Sequence, residues 1–386
     1  MTFGRLALKD LLRNPTRLGL TVLATGVGVL AFVFLQSVIS LWYSGLALTQ
    51  PDRLAVRSKT SITQPLPLAY KRRIEAVPGV SRVTYAGWFG GRMGESRQDF
   101  FPNFYVDKAT YLQVYDEYVA PPEQLSAWQA DPCSAMVGRS LVDRFGWQIG
   151  DRVTLEGSIY PGEWTFTIKG IYRGRTPQVD TTVLAFGYRC LNERLSAELK
   201  DLVGVYTIVV DDPSRSAQVA ARIDAMFENS AYPTRTESER AFQMSFIAMS
   251  AAILTAVRIV AYAVLVILLL VVGNTLAMNV REKTVDLATL RALGFRRYHL
   301  AGLVLAESAV IGVAGAAVGL ALAPPVIDGF AAVVSENFGP LQEVTITART
   351  YALATGASLG VALLAGLLPA LRAANLPIAE GLRRVA

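Results

Sequence analysis

IVAYAVLVILLLVVGNTLAMNV, residues 259–280, runs straight into the charged REK of 281–283 and decides the fold. Twenty-two residues without a charge are enough to cross a bilayer core, which takes about 20 apolar residues per helical span. Three more stretches qualify: Leu18 to Tyr43, Leu300 to Ile327 and Tyr351 to Leu371. Of the 386 residues 52% are hydrophobic and 18% charged, with a mean hydropathy of +0.36, a balance too apolar for an ordinary soluble domain. The fold class that follows is an α-helical membrane protein with four transmembrane helices. About 200 residues between the first two spans form a polar segment large enough for a core of its own.

A formal charge of +6 and a pI near 9.3 would suit a nucleic-acid binder until the charges are placed. Segments 1–17, 280–299 and 372–386 carry +3, +3 and +2, which leaves −2 for the rest of the chain. The excess therefore flanks spans on one side, the positive-inside pattern and not a nucleic-acid footprint. Both termini and the 281–299 loop are expected in the cytoplasm, and the large segment is expected outside. Residues 328–349, with Asp328, Glu336 and Glu343 against Arg349, join it there. The first span is too long for a signal-peptide core and reads as an uncleaved anchor in the inner membrane.

The expected order is a cytoplasmic amphipathic helix at 1–17, a first span at 18–43 and an exported domain at 44–243. A stalk and second span follow at 244–280, then a cytoplasmic helix at 281–299, a third span at 300–327, an external loop at 328–349, a fourth span at 350–371 and a tail at 372–386. In FGRLALKDLLR, 3–13, apolar and charged residues interleave as a helix lying on the membrane surface would have them, or as a charged flank of the span. Between Met244 and Val280 the apolar run exceeds what a bilayer needs. With Arg258 snorkelling at the outer interface, it reads as one continuous helix reaching into the exported domain.

Inside that domain, RLAVRS (53–58), SRVTYAGW (81–88) and VYTIVVD (205–211) alternate as strands, while LAYKRRIEAV (68–77) and AQVAARIDAMF (217–227) carry helical spacing. Two strand-and-helix units at opposite ends of the segment suggest a ferredoxin-like, porter-type α+β subdomain, 44–95 and 200–243, with a β-rich insertion at about 96–199. Phe100, Phe101, Phe104, Tyr105, Tyr111 and Tyr115 in the insertion read as core in preference to a cargo surface.

Catalytic constellations are missing from the sequence. The lone histidine, His299, has no acidic or cysteine neighbours for metal or triad chemistry, and no GxxxxGK[ST] phosphate loop occurs. No metal site and no catalytic residue is expected, and any ATP chemistry falls to a partner. Cys133 and Cys190 both lie in the exported segment, where a disulfide and two separate thiols are both open to them. Glu307 is the carboxylate well inside a span; without visible partners in other spans it reads as structural or coupling, not as a proton relay. Gly315 with Gly319, and Gly356 with Gly360, have the spacing of close helix contacts.

VREKTVDLATLRALGFRRYHL (280–300) and LVLAESAVIGVAGAAVGLALA (303–323) together resemble the FtsX-like, or MacB-type, permeases of the type VII ABC transporters. The matching positions are Arg281, Glu282, Leu290, Arg291, Ala292, Leu293, Gly294, Arg296, Arg297, Glu307, Gly312, Gly315 and Gly319. GLLPALRAANLPIAEGLR (366–383) matches as well, and VGRSLVDRFGWQIGDRVTL (137–155) looks like that family's periplasmic core domain. The resemblance implies a permease that dimerises with itself or a paralogue and binds two ATPase subunits, which hold the ATP and magnesium; this chain itself binds no cofactor. It implies a coupling helix with Arg281, Glu282, Lys283, Asp286, Leu290, Arg291, Leu293 and Gly294 facing the ATPase. Nucleotide-driven motion would pass to the exported domain, as mechanotransmission, to move periplasmic or membrane-anchored cargo. The branches left open are efflux with a periplasmic adaptor and outer-membrane channel, lipoprotein release to a carrier, and control of a cell-wall hydrolase.

Overall fold

The computed structural model describes residues 14–94, 99–176, 178–338 and 346–377. Most of the expected N-terminal surface helix (1–13), part of the external loop (339–345) and most of the C-terminal tail (378–386) lie outside the described residues. The chain divides into two units, one of membrane helices and one spanning residues 41–250 with 331–343.

Helix α1, Pro15–Tyr43, precedes the exported unit. Strand β1 (Arg53–Ser58), helix α2 (Tyr70–Glu75) and strand β2 (Val80–Trp88) follow. Next come β3 (Asn103–Val106), α3 (Tyr111–Val114), α4 (Pro122–Ala130), β4 (Ser134–Gly138), α5 (Arg139–Phe145) and β5 (Arg152–Gly157). The long strand β6 (Gly162–Gly174), then β7 (Leu184–Gly187) and α6 (Tyr188–Arg194), complete the insertion. The chain returns through β8 (Val205–Val210), α7 (Ser216–Phe227), β9 (Thr234–Ser238) and α8 (Glu239–Met249).

Strands β9, β1, β8 and β2 lie side by side in that order, every pair antiparallel, with α2 and α7 as the two crossovers. This is the ferredoxin-like order, and residues 89–204 are inserted between its second and third strands. Helix α7 places Val219, Ile223 and Phe227 four residues apart, so all three are buried on one face, and Tyr70 of α2 stacks on Phe227 at 3.9 Å.

The insertion does not form a separate sheet. Ala86, Gly87 and Trp88 of β2 pair with Val106, Tyr105 and Phe104 of β3, and the ladder continues through β7, β4, β6 and β5. One core underlies both parts, from Leu54 and Ile208 to Phe89, Phe166 and Phe186. Phe186 lies 4.2 Å from Phe166 and 5.1 Å from Phe89 between ring centroids, and each such buried ring contributes about 2–3 kcal/mol. A second cluster, with Tyr111, Trp128, Met136 and Tyr172, packs around Val106 and Ala185. Of the six aromatics expected inside, Phe101, Tyr105 and Tyr111 are buried and Phe104 and Tyr115 partly so. Phe100 is exposed, beside Trp88.

The membrane unit continues with α9 (Ala251–Glu282), α10 (Thr284–Ala292), α11 (Arg297–Phe338) and α12 (Ala348–Ala374). Among the described residues, helices α1, α9, α11 and α12 are the four long and apolar enough to cross a membrane. Two expectations change. The run from Met244 to Val280 is not one helix: α8 ends at Met249, and Ser250, whose N–H turns back to Ile247 O at 3.0 Å, separates it from α9. The helix of the third span does not stop at Ile327: α11 runs on through Pro324 and Pro325 and stays helical to Phe338.

Candidate functional site

At the basic end of the membrane unit, α9 gives way to α10 at Lys283, whose backbone (φ −90°, ψ 14°) leaves helical geometry for one residue. Helix α10 ends in a left-handed cap. Gly294 has φ +94°, its N–H reaches Arg291 O at 3.0 Å, and Phe295 N–H reaches Leu290 O at 3.1 Å. These two bonds form the Schellman motif, which requires a residue at positive φ and so selects glycine. The LRALG sequence is thus a helix stop that turns the chain into α11.

The eight residues expected to face an ATPase divide by environment. Arg281, Glu282, Asp286, Leu293 and Gly294 are exposed, Leu293 at 73%. Leu290 is half-buried, and Leu287 of the same helix packs against Val280, Leu300, Val304 and Ala373. Glu282 makes a two-pronged pair with Arg17 of α1 at 2.5 and 2.8 Å. Arg291 donates to the carbonyls of Ala374 and Leu376, tying α10 to the end of α12. Lys283 turns inward, its ammonium 3.0 Å from Glu307 Oε1.

Glu307 therefore has partners that the sequence did not reveal. Asn279 Nδ2 donates to its Oε2 at 2.8 Å, and the Lys283 and Glu307 side chains are 15% and 3% exposed. Asn279 and Lys283 are one turn apart on α9 and its end, so both reach the same carboxylate on α11. A cavity of about 30 Å³ opens beside them, lined by Asn14, Arg17, Thr21, Thr275, Asn279 and Ile311 among others.

The glycines also divide. A Cβ on Gly315 would meet Thr25 Cγ2 at 2.4 Å, and one on Gly319 would meet Gly26 O at 2.6 Å, so this pair seats α11 against α1. Gly312 lies against Ala362 and Ser358 of α12, where Ser358 Oγ donates to Gly312 O at 2.8 Å. Gly356 and Gly360 meet no other helix of this chain: nothing in it lies within 4 Å of a Cβ at either.

In the exported unit Cys133 and Cys190 are bridged, with Cα atoms 5.0 Å apart. The bond joins the start of β4 to α6. Lys108 spends its ammonium on Trp128 O, Asp131 O and Ser134 Oγ at 2.6–2.9 Å, which makes it a structural bolt and not a free amine. Among the described residues no group of three His, Cys, Asp or Glu side chains could hold a metal.

Four apolar helices and an α+β unit inserted after the first define the class as a membrane protein with a large domain between its first two spans. The family model of the MacB-like periplasmic core domain matches residues 18–226, and that of the FtsX-like permease C-terminal region matches residues 258–378. The chain belongs to this family of ABC transporter permeases, the MacB and FtsX type. An uncharacterized ABC transporter permease of Mycobacterium tuberculosis is 24% identical over 273 residues, 68% of this chain, which spans only 30% of that protein's length. An uncharacterized ABC transporter permease of Methanocaldococcus jannaschii is 24% identical over 346 residues, 82% of this chain and 81% of the relative. Among solved structures, the periplasmic region of MacB from Actinobacillus actinomycetemcomitans aligns at 9% identity and a TM-score of 0.39, covering 52% of this chain and 95% of that one. The extracellular domain of the transporter YknZ from Gram-positive bacteria gives 9% and 0.37, covering 48% and 98%. The assignment rests on the sequence matches, which make this a membrane protein with an extracytoplasmic domain and imply an ATPase partner.

Proposed function

We propose that the chain is the permease of an ATP-driven export complex in the inner membrane, working as a pair with a second copy or paralogue on two separate ATPase subunits. Helix α10 is its docking element. ATP closes the ATPase pair, the elbow moves, and α1 and α9 deliver that motion to the exported unit, which moves cargo already outside the cytoplasm. A ligand shifts an equilibrium only through differential affinity for two states, so the elbow must be stiff enough to carry the difference. The observation that carries this reading is the construction of the elbow. Gly294 caps it, Leu287 anchors it, Arg17, Arg291 and Glu307 tie it to three other helices, and Leu293, Phe295 and Tyr298 stay exposed. Exposed apolar side chains at and just past the cap of a braced helix suit a partner groove.

Leu293→Asp is the test, because this side chain is already in solvent and its loss leaves the fold intact. The variant is expected to keep its thermal stability and to lose co-purification with the ATPase together with at least tenfold of the complex's ATP turnover. Unchanged association and turnover would reject α10 as the docking element.

A further inference from the structure

Arg53 is an arginine at 2% exposure on the first strand of the exported unit, and its guanidinium is shared among segments far apart in sequence. Nη1 and Nη2 donate to the two oxygens of Glu117 at 2.8 and 2.7 Å. Nη1 also lies 3.4 Å from Glu239 Oε1, and the guanidinium covers the Tyr115 ring at 4.9 Å. Glu239 Oε2 in turn accepts from the Gln50 N–H at 3.1 Å.

These positions have distinct places in the chain. Gln50 lies just after the segment that leaves α1, and Glu239 is the first residue of α8, the last helix before Ser250 and α9. They mark the two ends of the exported unit. Glu117 belongs to the insertion: its carbonyl accepts from Arg175 N–H at 2.8 Å, and the next residues, Tyr118 and Val119, pair with the end of β6. Tyr115 is tied to β8 through Thr207 at 2.9 Å. A buried charge is retained only when well paired, and removing one partner of such a pair is strongly unfavourable. Two carboxylates, a ring face and a planar fork of donors satisfy arginine in a way lysine could not match.

We propose that Arg53 is a positioning residue that clamps the insertion to both ends of the exported unit, so that a displacement of those ends reaches the insertion directly. It rests on the reading of the chain as a motion-transmitting permease, but its test needs neither cargo nor ATPase. The full chain in nanodiscs carries spin labels at Glu123→Cys in the insertion and Arg240→Cys on α8, both exposed sites; the two native cysteines are bridged and stay unlabelled. Arg53→Met and Glu117→Gln are each expected to at least double the width of the label–label distance distribution. Amide exchange at Gln50 and Arg175 is expected to rise at least tenfold while Ala55 and Val56 in β1 keep their protection. Should the single variants fail to fold, Arg53→Met with Glu117→Leu replaces the pair by apolar contact, and the same broadening is expected in a stable protein. An unchanged width in the folded variants, or a uniform rise in exchange across β1, would overturn the clamp. Failure of the wild-type chain to bind any ATPase would instead overturn the transport reading and leave the distance result to stand by itself.

Discussion

Replacing Glu307 by glutamine, Lys283 by methionine, or both, asks whether the elbow is braced by a charge pair. The 3.0 Å contact joins side chains that are 3% and 15% exposed, so either single change strands a charge largely out of water. Removing one partner of a buried pair costs about 3–5 kcal/mol. At Glu307→Gln the lower end applies, because the amide still accepts from Asn279 and Lys283 is the less buried partner. Removing both charges leaves no stranded group, and such replacements are often near neutral. The double variant should therefore be less than ~1–2 kcal/mol below wild type, although the singles together predict about 6 kcal/mol or more. The assay is a double-mutant cycle on the purified permease in nanodiscs, read by denaturant unfolding and by protease cleavage after Gly294. Residues that act as a pair usually show coupling of about 0.5–3 kcal/mol; these figures put this pair above that range, at about 4 kcal/mol or more. Additivity of the two changes to within about 0.5 kcal/mol would show that the contact does not brace the elbow.

Gly315→Val and Gly319→Val should each destabilise the helix bundle by about 1–3 kcal/mol through overpacking against α1, read as a loss of thermal stability. Gly356→Ala and Gly360→Ala, with open space at the new methyl, should leave it unchanged or raise it by up to about 1 kcal/mol each, the helix-propensity gain. Cys133→Ser with Cys190→Ser opens a loop of 57 residues and should cost the exported unit about 4 kcal/mol on the chain-entropy account, measured by denaturant unfolding; wild-type protein should show no reactive thiol before reduction. Burial lifts the Glu239 carboxyl above its ordinary range, against the opposing pull of Arg53. The folded state then holds this proton more tightly than the unfolded one. Its contribution to stability is present at low pH and is lost as pH rises through the raised value. Glu239→Gln should flatten that part of the stability profile of the full chain, the fall that sets in as pH rises from the ordinary carboxylate range to the raised value, and an unaltered profile would contradict the assignment.

Strands β1, β2 and β8 and helix α7 were legible because each carries its period in a few consecutive residues: alternation in RLAVRS and VYTIVV, fourfold spacing in Val219, Ile223 and Phe227. The continuation of the sheet into the insertion was not legible. A strand's own pattern does not name the strand that pairs with its edge, and Trp88 must find Phe104 across a connection of no regular pattern. Hydropathy saw the apolar run around Ser250 but not its backbone, since a serine in an apolar run changes the mean little whether or not the helix breaks there. Net charge groups Lys283 with the basic flank of the span, yet its side chain bonds a residue 24 positions later. Arg53 escaped notice because a charged residue opening a strand usually points to water. Here the strand is covered on both faces.

The single sheet has a consequence for how the exported unit could have been assembled and how it can be cut. A segment inserted into a ferredoxin-like fold would ordinarily be removable, with Trp88 rejoined to Val205 through a short turn. In this chain the insertion supplies β3, which is hydrogen-bonded to β2 along that edge, and shares one apolar core with its host. Excision would bare the backbone of Ala86, Gly87 and Trp88 along an open edge, a template for pairing with other chains. The insertion is continuous in sequence and easily deleted on paper, but the host has become its folding partner, and a trimmed version should aggregate where the intact unit stays soluble.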